Sequence, residues 1–327
     1  MKSGFSAVGV DLGGTNIKAG IVDANGHVLS RDEIKTEADR GVEHVLDRIA
    51  KLVQDLSGRV KTKDPVRGVG IGVPGQVDWD RGVVEEAPNL PGWVHVDVRG
   101  LLGKRLKLPV FVDNDANAAG LAEYAFGSGQ GSRDMFLTTL GTGVGGGLVL
   151  GGEVYRGAKG GAGEFGHMCI QMDGPECGCG RRGCVEAYVG TKGILRSIQE
   201  KLEEGRSSLL AKIPPSQRTP RHVCEAADKG DKVAAEVFRD VGYCLGVGFG
   251  NVANLLNVER IVVGGGVAKA GHWILDPARE GLAKTALALS ASTVTVVQGS
   301  LGSDSGFLGA ARLAMDDSTD EKSLKRS

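Results

Sequence analysis

FSAVGVDLGGTNIKAGIVDANGHVLS, from Phe5 to Ser30, decides the fold. An apolar, β-rich run over residues 5–11 meets the turn LGGT (12–15), and a second apolar run follows. Asn25-Gly26 then supplies the dipeptide of a type I′ hairpin turn. The order is strand, turn, strand, hairpin, strand. It returns from residue 135 as MFLTTL (135–140), GTG (141–143), VGGGLVL (144–150), GG (151–152) and EVYRG (153–157). The echo has no fixed period, so it predicts two similar α/β halves rather than a solenoid.

Outward from these anchors, Val42, Val45, Leu46, Ile49, Leu52, Val53 and Leu56 share one helical face. VRGVGIGVPG (66–75) and PVFVDND (109–115) read as buried strands. LLGKRLK (101–107) reads as a short helix ended by Pro109. ANAAGLAEYAFG (116–127) reads as a helix capped by Asp115 or its neighbour and stopped at Gly127. In the second half, Val233, Val237, Val241 and Leu245 recur every four residues. Gly242, Gly246, Gly248 and Gly250 on the same helix predict close packing. ERIVVGGGVA (259–268) and STVTVVQGS (292–300) are strands, and SDSGFLGAARLAM (303–315) is a terminal helix. DDSTDEKSLKRS (316–327) reads as a frayed tail.

Lys plus Arg is 39 against 40 Asp plus Glu, a balance that lacks the basic surplus of a nucleic-acid binder. No apolar run approaches the roughly 20 residues that span a bilayer. No hydrophobic region precedes a cleavage site at the N-terminus, so the expected compartment is cytosolic. There, clustered cysteines more often bind metal than form disulfides.

Glycine stands out at 53 residues. DLGGT (11–15), LGTGVGGG (140–147) and VGGGVA (263–268) each follow an apolar strand. Backbone amides in such turns can cradle phosphate. None ends in the Gly-Lys-Ser/Thr of a Walker loop, and none has the dinucleotide pattern. Three such loops, two of them in equivalent places of the halves, point to a nucleotide. Lys18 can approach phosphate or stand solvated on its strand.

Cys177, Cys179 and Cys184 with His167 offer three thiolates and one nitrogen, a set suited to tetrahedral structural zinc. A redox reading lacks C-x-x-C. Cys169, Cys224 and Cys244 have no ligand spacing and are expected as buried small apolar residues. Glu164 and Glu186 flank the knot, where a rigid shell makes the hydrogen bonds of a carboxylate selective. At the strand-to-helix junction, VDNDANAA (112–119), one carboxylate can accept the proton of an attacking hydroxyl, or Asp115 can cap the helix.

VDLGGTNIKAG (10–20), GIGVPG (70–75), VDNDANAA, TLGTGVGGG (139–147) and GEFGHM…CGCGRRGCVEAY (163–168, 177–188) resemble the ROK family of sugar kinases and repressors, from about residue 7 to about 315. The match is closest to the family's ATP-dependent, glucose-phosphorylating bacterial branch. The resemblance implies a duplicated ribonuclease H-like fold of the actin/hexokinase/Hsp70 type, with ATP in the cleft between the halves. It also implies a smaller domain of residues 1–118 plus about 305–327 and a larger one of 119–304 with the zinc loop.

By the same resemblance, Asp115 is the general base and Asn114 a sugar-hydroxyl ligand. Glu164, His167 and Glu186 contact the sugar, with Gly75 and Asn89 as further sugar-loop positions. Asp11 stands near the Mg²⁺–phosphate group. Gly13, Gly14, Thr15 and Lys18 approach the phosphates from one side and Gly141, Thr142 and Gly143 from the other. Gly265 and Gly266 border the adenosine. His167 then uses one ring nitrogen for zinc and the other for a hydroxyl.

Phe165 stands where small aliphatics are common in relatives and reads as a core substitution. Other family substrates are N-acetylmannosamine, N-acetylglucosamine, fructose and allose, and the polyphosphate-using relatives usually lack the cysteine knot. A repressor of this family is expected to carry a helix-turn-helix ahead of the first loop. With that loop starting at residue 11, the kinase is the expectation. A catalytically silent sugar-binding protein is the third reading, and the Asn114-Asp115 pair speaks against it. The family also implies a homo-oligomer, dimer or tetramer, while the charge balance and the lack of a long apolar run predict no nucleic-acid or membrane partner.

Overall fold

A computed structural model describes residues 5–60 and 65–317. The first half contains strands β1 (Ser6–Leu12), β2 (Asn16–Asp23), β3 (Val28–Lys35), β4 (Val66–Val73) and β8 (Val110–Asn114), in the sheet order β3-β2-β1-β4-β8. A small sheet of β5 (Gln76–Asp78), β6 (Val83–Glu86) and β7 (Val94–Asp97) is inserted after β4. The second half repeats the plan with β9 (Met135–Leu140), β10 (Val144–Leu150), β11 (Glu153–Val154), β12 (Arg260–Gly264) and β13 (Thr295–Gln298), ordered β11-β10-β9-β12-β13. In both sheets the leading three strands are antiparallel and the next pairings are parallel. The echo read from residues 5 and 135 is therefore a duplicated sheet.

Helices α1 (Val42–Arg59) and α2 (Val98–Leu106) belong to the first half, and α3 (Asp115–Phe126) leads into the second. The second half adds α4 (Val185–Val189), α5 (Thr191–Glu203), α6 (Pro220–Asp228), α7 (Lys232–Leu256), α8 (His272–Thr285) and α9 (Ala288–Thr293). The chain then returns in α10 (Ser305–Asp317), which packs on β1, β4 and α3. β1 and β4 are buried almost throughout, as a strand covered on both faces must be. A Cβ at Gly9 would run into the Phe307 carbonyl, and one at Gly70 into that of Ala310, so glycine lets α10 lie directly on the sheet.

The first hairpin is not a type I′ turn. That turn needs positive φ at both central residues; Gly26 has φ 87°, but Asn25 is not among the residues with positive φ. The Asp23 carboxylate instead accepts the amides of Asn25 and His27, each at 2.9 Å, and this local side-chain cap sets the turn. EVYRG is shortened too, because β11 ends at Val154. α2 ends at Lys107, which adopts φ 55°, before Pro109 is reached. Most of the expected tail, residues 318–327, lies outside the described residues.

Helices α7 and α8 touch through Gly242, Gly246 and Gly281, where carbonyls of the partner helix leave no room for a Cβ. Phe165 is buried in the second core, 4.9 Å edge-on from Phe136 and stacked 5.8 Å from Phe249. It is a core residue, as the sequence suggests. Phe165→Ala is expected to lower stability by about 3–5 kcal/mol, read from denaturant unfolding; a loss below about 1 kcal/mol would contradict this packing. Among the described residues, no helix is long and apolar enough to cross a membrane.

Candidate active site and metal centre

β8 ends where the chain turns into α3, and the helix cap at that turn decides which of three polar neighbours does what. Asn114 is the cap. Its Oδ1 accepts the amides of Ala116 (2.8 Å) and Asn117 (3.2 Å), and its Nδ2 donates to the Gly75 carbonyl at 3.0 Å. Gly75 has φ 98° and sits where a Cβ would run into the Glu86 carbonyl, so only glycine fits. Asp113 is buried. It accepts Asn117 Nδ2 (2.9 Å), its neighbour's amide (2.8 Å) and Arg156 Nε (2.7 Å).

Asp115 is thus released from capping by Asn114. Its Oδ1 accepts the Ala116 amide at 2.8 Å, and the Asn114 side chain also favours its charged form. Asp115 keeps part of its surface open, but most of its surroundings are protein. Burial pushes its pKa up to about 6, helped by the nearby Asp11 charge and opposed by the Ala116 amide. Asp11 is likewise pushed up to about 6, first by burial; Lys18 opposes this and Glu33 adds to it. The Asp11 carboxylate lies against Gly306 in the first turn of α10. Lys18 sits across the strand pair from Asp11 and reaches Ser303 O at 3.5 Å.

Each of the three glycine loops is held by contacts of its own. In the first, Gly13 N donates to Asn16 O at 3.0 Å, Thr36 N donates to Thr15 O at 2.9 Å, and a Cβ at Gly14 would stand 3.0 Å from Asn89 O. Asn89 therefore borders the phosphate-type loop. In the second, Gly141 O accepts the amide (3.0 Å) and hydroxyl (2.8 Å) of Thr191, seating the Gly141–Gly143 turn on the start of α5. A Cβ at Gly190 would stand 3.2 Å from Thr142 O. Gly265, at φ 88°, presses the third loop against Leu140, with Gly266 next to it at the start of the 267–270 turn.

A cavity of about 100 Å³ opens beside the third loop, lined by Thr139, Gly265, Lys269, Ser300 and Ser305 among others. Its wall includes Glu123, a buried carboxylate that accepts the amides of Ser128 (2.8 Å), Ser300 (3.2 Å) and Leu301 (2.9 Å). Sequence reasoning missed Glu123. One glutamate inside a helix carries no local signal, and its partners lie up to 178 positions away.

His167, Cys177, Cys179 and Cys184 place their ligand atoms within 4.8 Å of one another. Cys179 Sγ and Cys184 Sγ are 3.8 Å apart, and Cys177 Sγ is 3.7 Å from His167 Nδ1. With Zn–S of about 2.3 Å and Zn–N of about 2.0–2.1 Å, a tetrahedron has edges of about 3.6–3.8 Å. The donor set fits that ion in chemistry and size. The other nitrogen, His167 Nε2, faces Glu164 Oε2 at 3.9 Å. Glu164 is exposed. Glu186 Oε2 accepts the Val144 amide at 2.9 Å and Oε1 lies 3.6 Å from Cys177 Sγ, so this side chain joins the knot to the second glycine loop. Cys169 is exposed and Cys224 and Cys244 are half-buried, against the expectation of burial. Cys169 pairs in a β-bridge with Cys184 at the surface of the knot.

The profile of the ROK family matches residues 7–317. A glucokinase of Halalkalibacterium halodurans is 39% identical over 310 residues, covering 94% of each chain. A glucokinase of Thermotoga maritima is 36% identical, covering 94% of this chain and 96% of its own. A ROK family glucokinase from Streptomyces griseus, solved in complex with glucose and AMPPNP, superposes with a TM-score of 0.81 at 37% identity, covering 95% of this chain and 99% of that one.

Proposed function

The chain belongs to the ROK family, and from that premise we propose that it is an ATP-dependent glucokinase, moving the γ-phosphoryl group of ATP to the 6-hydroxyl of glucose. The observation that carries the chemistry is Asp115: a carboxylate at the β8–α3 junction, held by the Ala116 amide and left out of the helix cap, with a pKa of about 6. Such a carboxylate is mostly ionised near neutral pH and still basic enough to accept a hydroxyl proton. As that proton moves to Asp115, the sugar oxygen bonds to phosphorus, and the bond from phosphorus to the ADP oxygen breaks.

Phosphoryl transfer asks the protein mainly for positioning and charge stabilisation. Asn114 Nδ2 keeps one hydrogen beyond the Gly75 bond and can donate to a sugar hydroxyl. Glu164 and Glu186 accept sugar hydroxyls in this reading, His167 donates a hydrogen bond to one from Nε2, and Gly75 and Asn89 border the sugar. Gly13, Gly14 and Thr15 border the phosphates from one side and Gly141, Thr142 and Gly143 from the other, with Lys18 nearby. Gly265 and Gly266 flank the adenosine. Mg²⁺ entering with ATP neutralises phosphate charge, and Asp11 stands where it can assist.

Zinc, when held by His167, Cys177, Cys179 and Cys184, supplies structure alone, since four donors leave no position for water. In the same reading the described residues up to 118, with those from about 305, belong to one domain and 119–304 to the other. The first boundary falls inside α3, which packs on strands of both sheets and can serve as the pivot between them. The protein is placed in the cytoplasm, in glycolytic sugar entry, as a dimer or tetramer, which analytical ultracentrifugation reads directly.

An ADP-coupled assay over about a dozen hexoses, including N-acetylmannosamine, N-acetylglucosamine, mannose, fructose and allose, tests the reading. Glucose is expected to show the highest kcat/KM. A higher value for an N-acetylhexosamine would replace the substrate, and no turnover with any sugar would remove the kinase.

A further inference from the structure

Asp115 stands on the β8–α3 turn of the first half, whereas Glu164 and His167 stand on the segment after β11 in the second. Catalysis in the proposed reading needs both walls at a fixed separation. Between them lies a feature that the glucokinase reading does not use. Arg156, two residues past the end of β11, donates Nε to Asp113 Oδ2 at 2.7 Å, with side chains 15% and 4% exposed. Its guanidinium carbon lies 4.5 Å from the ring centre of Trp79, just past β5. One side chain therefore joins the end of β8, the small inserted sheet and the sugar-side segment. Close by, Gly160 presses on β5, where a Cβ would run into the Val77 carbonyl.

We propose that Arg156 is a positioning residue, fixing the Asp115 turn against the Glu164–His167 segment. The inference rests on the glucokinase reading. Asp113 is the fulcrum. Its Oδ1 accepts the Asn114 amide at 2.8 Å and Asn117 Nδ2 at 2.9 Å, which bracket Asp115 in the chain. Its Oδ2 accepts Arg156 from the opposite wall. A shift of the guanidinium is therefore passed to the backbone next to Asp115. A misplacement of about 1 Å can cost about 10²-fold in rate. Lysine cannot replace the contact, because it lacks the planar fork that bonds Asp113 while stacking on an indole.

The test separates positioning from plain stability. Arg156→Ala leaves the buried Asp113 charge uncompensated, so both melting temperature and activity should fall. The paired variant Asp113→Asn with Arg156→Met removes both charges and keeps the volume. Its melting temperature is expected to recover to near wild type, while kcat for glucose stays about 30-fold or more below wild type and KM for ATP changes less than about twofold. Arg156→Lys should give a folded protein with only partial rescue of kcat. If the paired variant regains wild-type kcat along with its melting temperature, Arg156 is merely structural and the inference is overturned. Wild-type protein is assayed alongside: its inactivity on every hexose would sink the glucokinase reading, and this inference with it.

Discussion

Asp115→Asn is expected to lower kcat by about 10²–10⁴-fold, the usual range for a lost general base, while glucose still binds in a calorimetric titration. Asparagine preserves shape and the Ala116 contact but cannot take the hydroxyl proton. A rate within about tenfold of wild type would remove Asp115 as the acceptor. The wild-type pH profile should show the same group. Because the pKa of Asp115 stands near 6, kcat/KM is expected to fall as pH drops through about 6, whereas an ordinary aspartate would hold activity to about 4.

Stability should move the other way. The folded state binds protons more tightly than the unfolded chain between the ordinary value of 3.8 and about 6, so this group favours folding at low pH. That contribution is lost as pH rises through about 6. At pH 7 the charges of Asp115 and Asp11 therefore cost stability, and Asp115→Asn should raise the melting temperature at pH 7 more than at pH 4. Thermal unfolding at the two pH values measures the difference. The two carboxylates titrate as an interacting pair, so the profile reports values belonging to both.

Removing the metal should have the second large effect. Purified protein is expected to carry about one zinc per chain. Cys179→Ser or a strong chelator should strip the ion and loosen residues 167–184. That segment has little core of its own: Cys177, Cys184 and Ala187, with Cys179 against them, make up its cluster. Binding free energy at such a site is folding free energy for the loop it closes. The loop positions His167 and Glu186, and Glu186 in turn holds the Val144 amide beside the second glycine turn. Glucose kcat/KM should therefore fall by about 100-fold or more, with restoration on adding zinc back to chelated protein. Metal analysis finding no zinc, or apo protein at full rate, would falsify the assignment.

Several features were legible in the residues because their determinants are local. The strand–turn–strand echo rests on apolar runs broken by glycine, and both copies formed sheets of the same order. The candidate metal ligands were readable because C-x-C-x₄-C with glycine neighbours wraps one point in space, and His167 lies within ligand distance of them. Helices α4, α5, α6, α8 and α9 and the small inserted sheet were not read. For α5 and α6 a local signal was nonetheless present, since Ile194 and Ile198 lie four apart and Val223, Ala226 and Ala227 recur at helical spacing, all buried.

The residues of VDNDANAA show where that division falls. By itself the sequence determined that a carboxylate would stand at the end of a buried strand, and its motifs resembled the family whose profile matches residues 7–317. Three adjacent polar side chains could each have capped α3 or faced the cleft. Only the tertiary structure assigned Asn114 to the cap and Gly75, Asp113 to Arg156, and left Asp115 out of the cap. The reason is distance along the chain. Gly75 and Arg156 lie 39 and 43 positions from their partners, and a choice made by such contacts leaves no periodicity in the residues on either side.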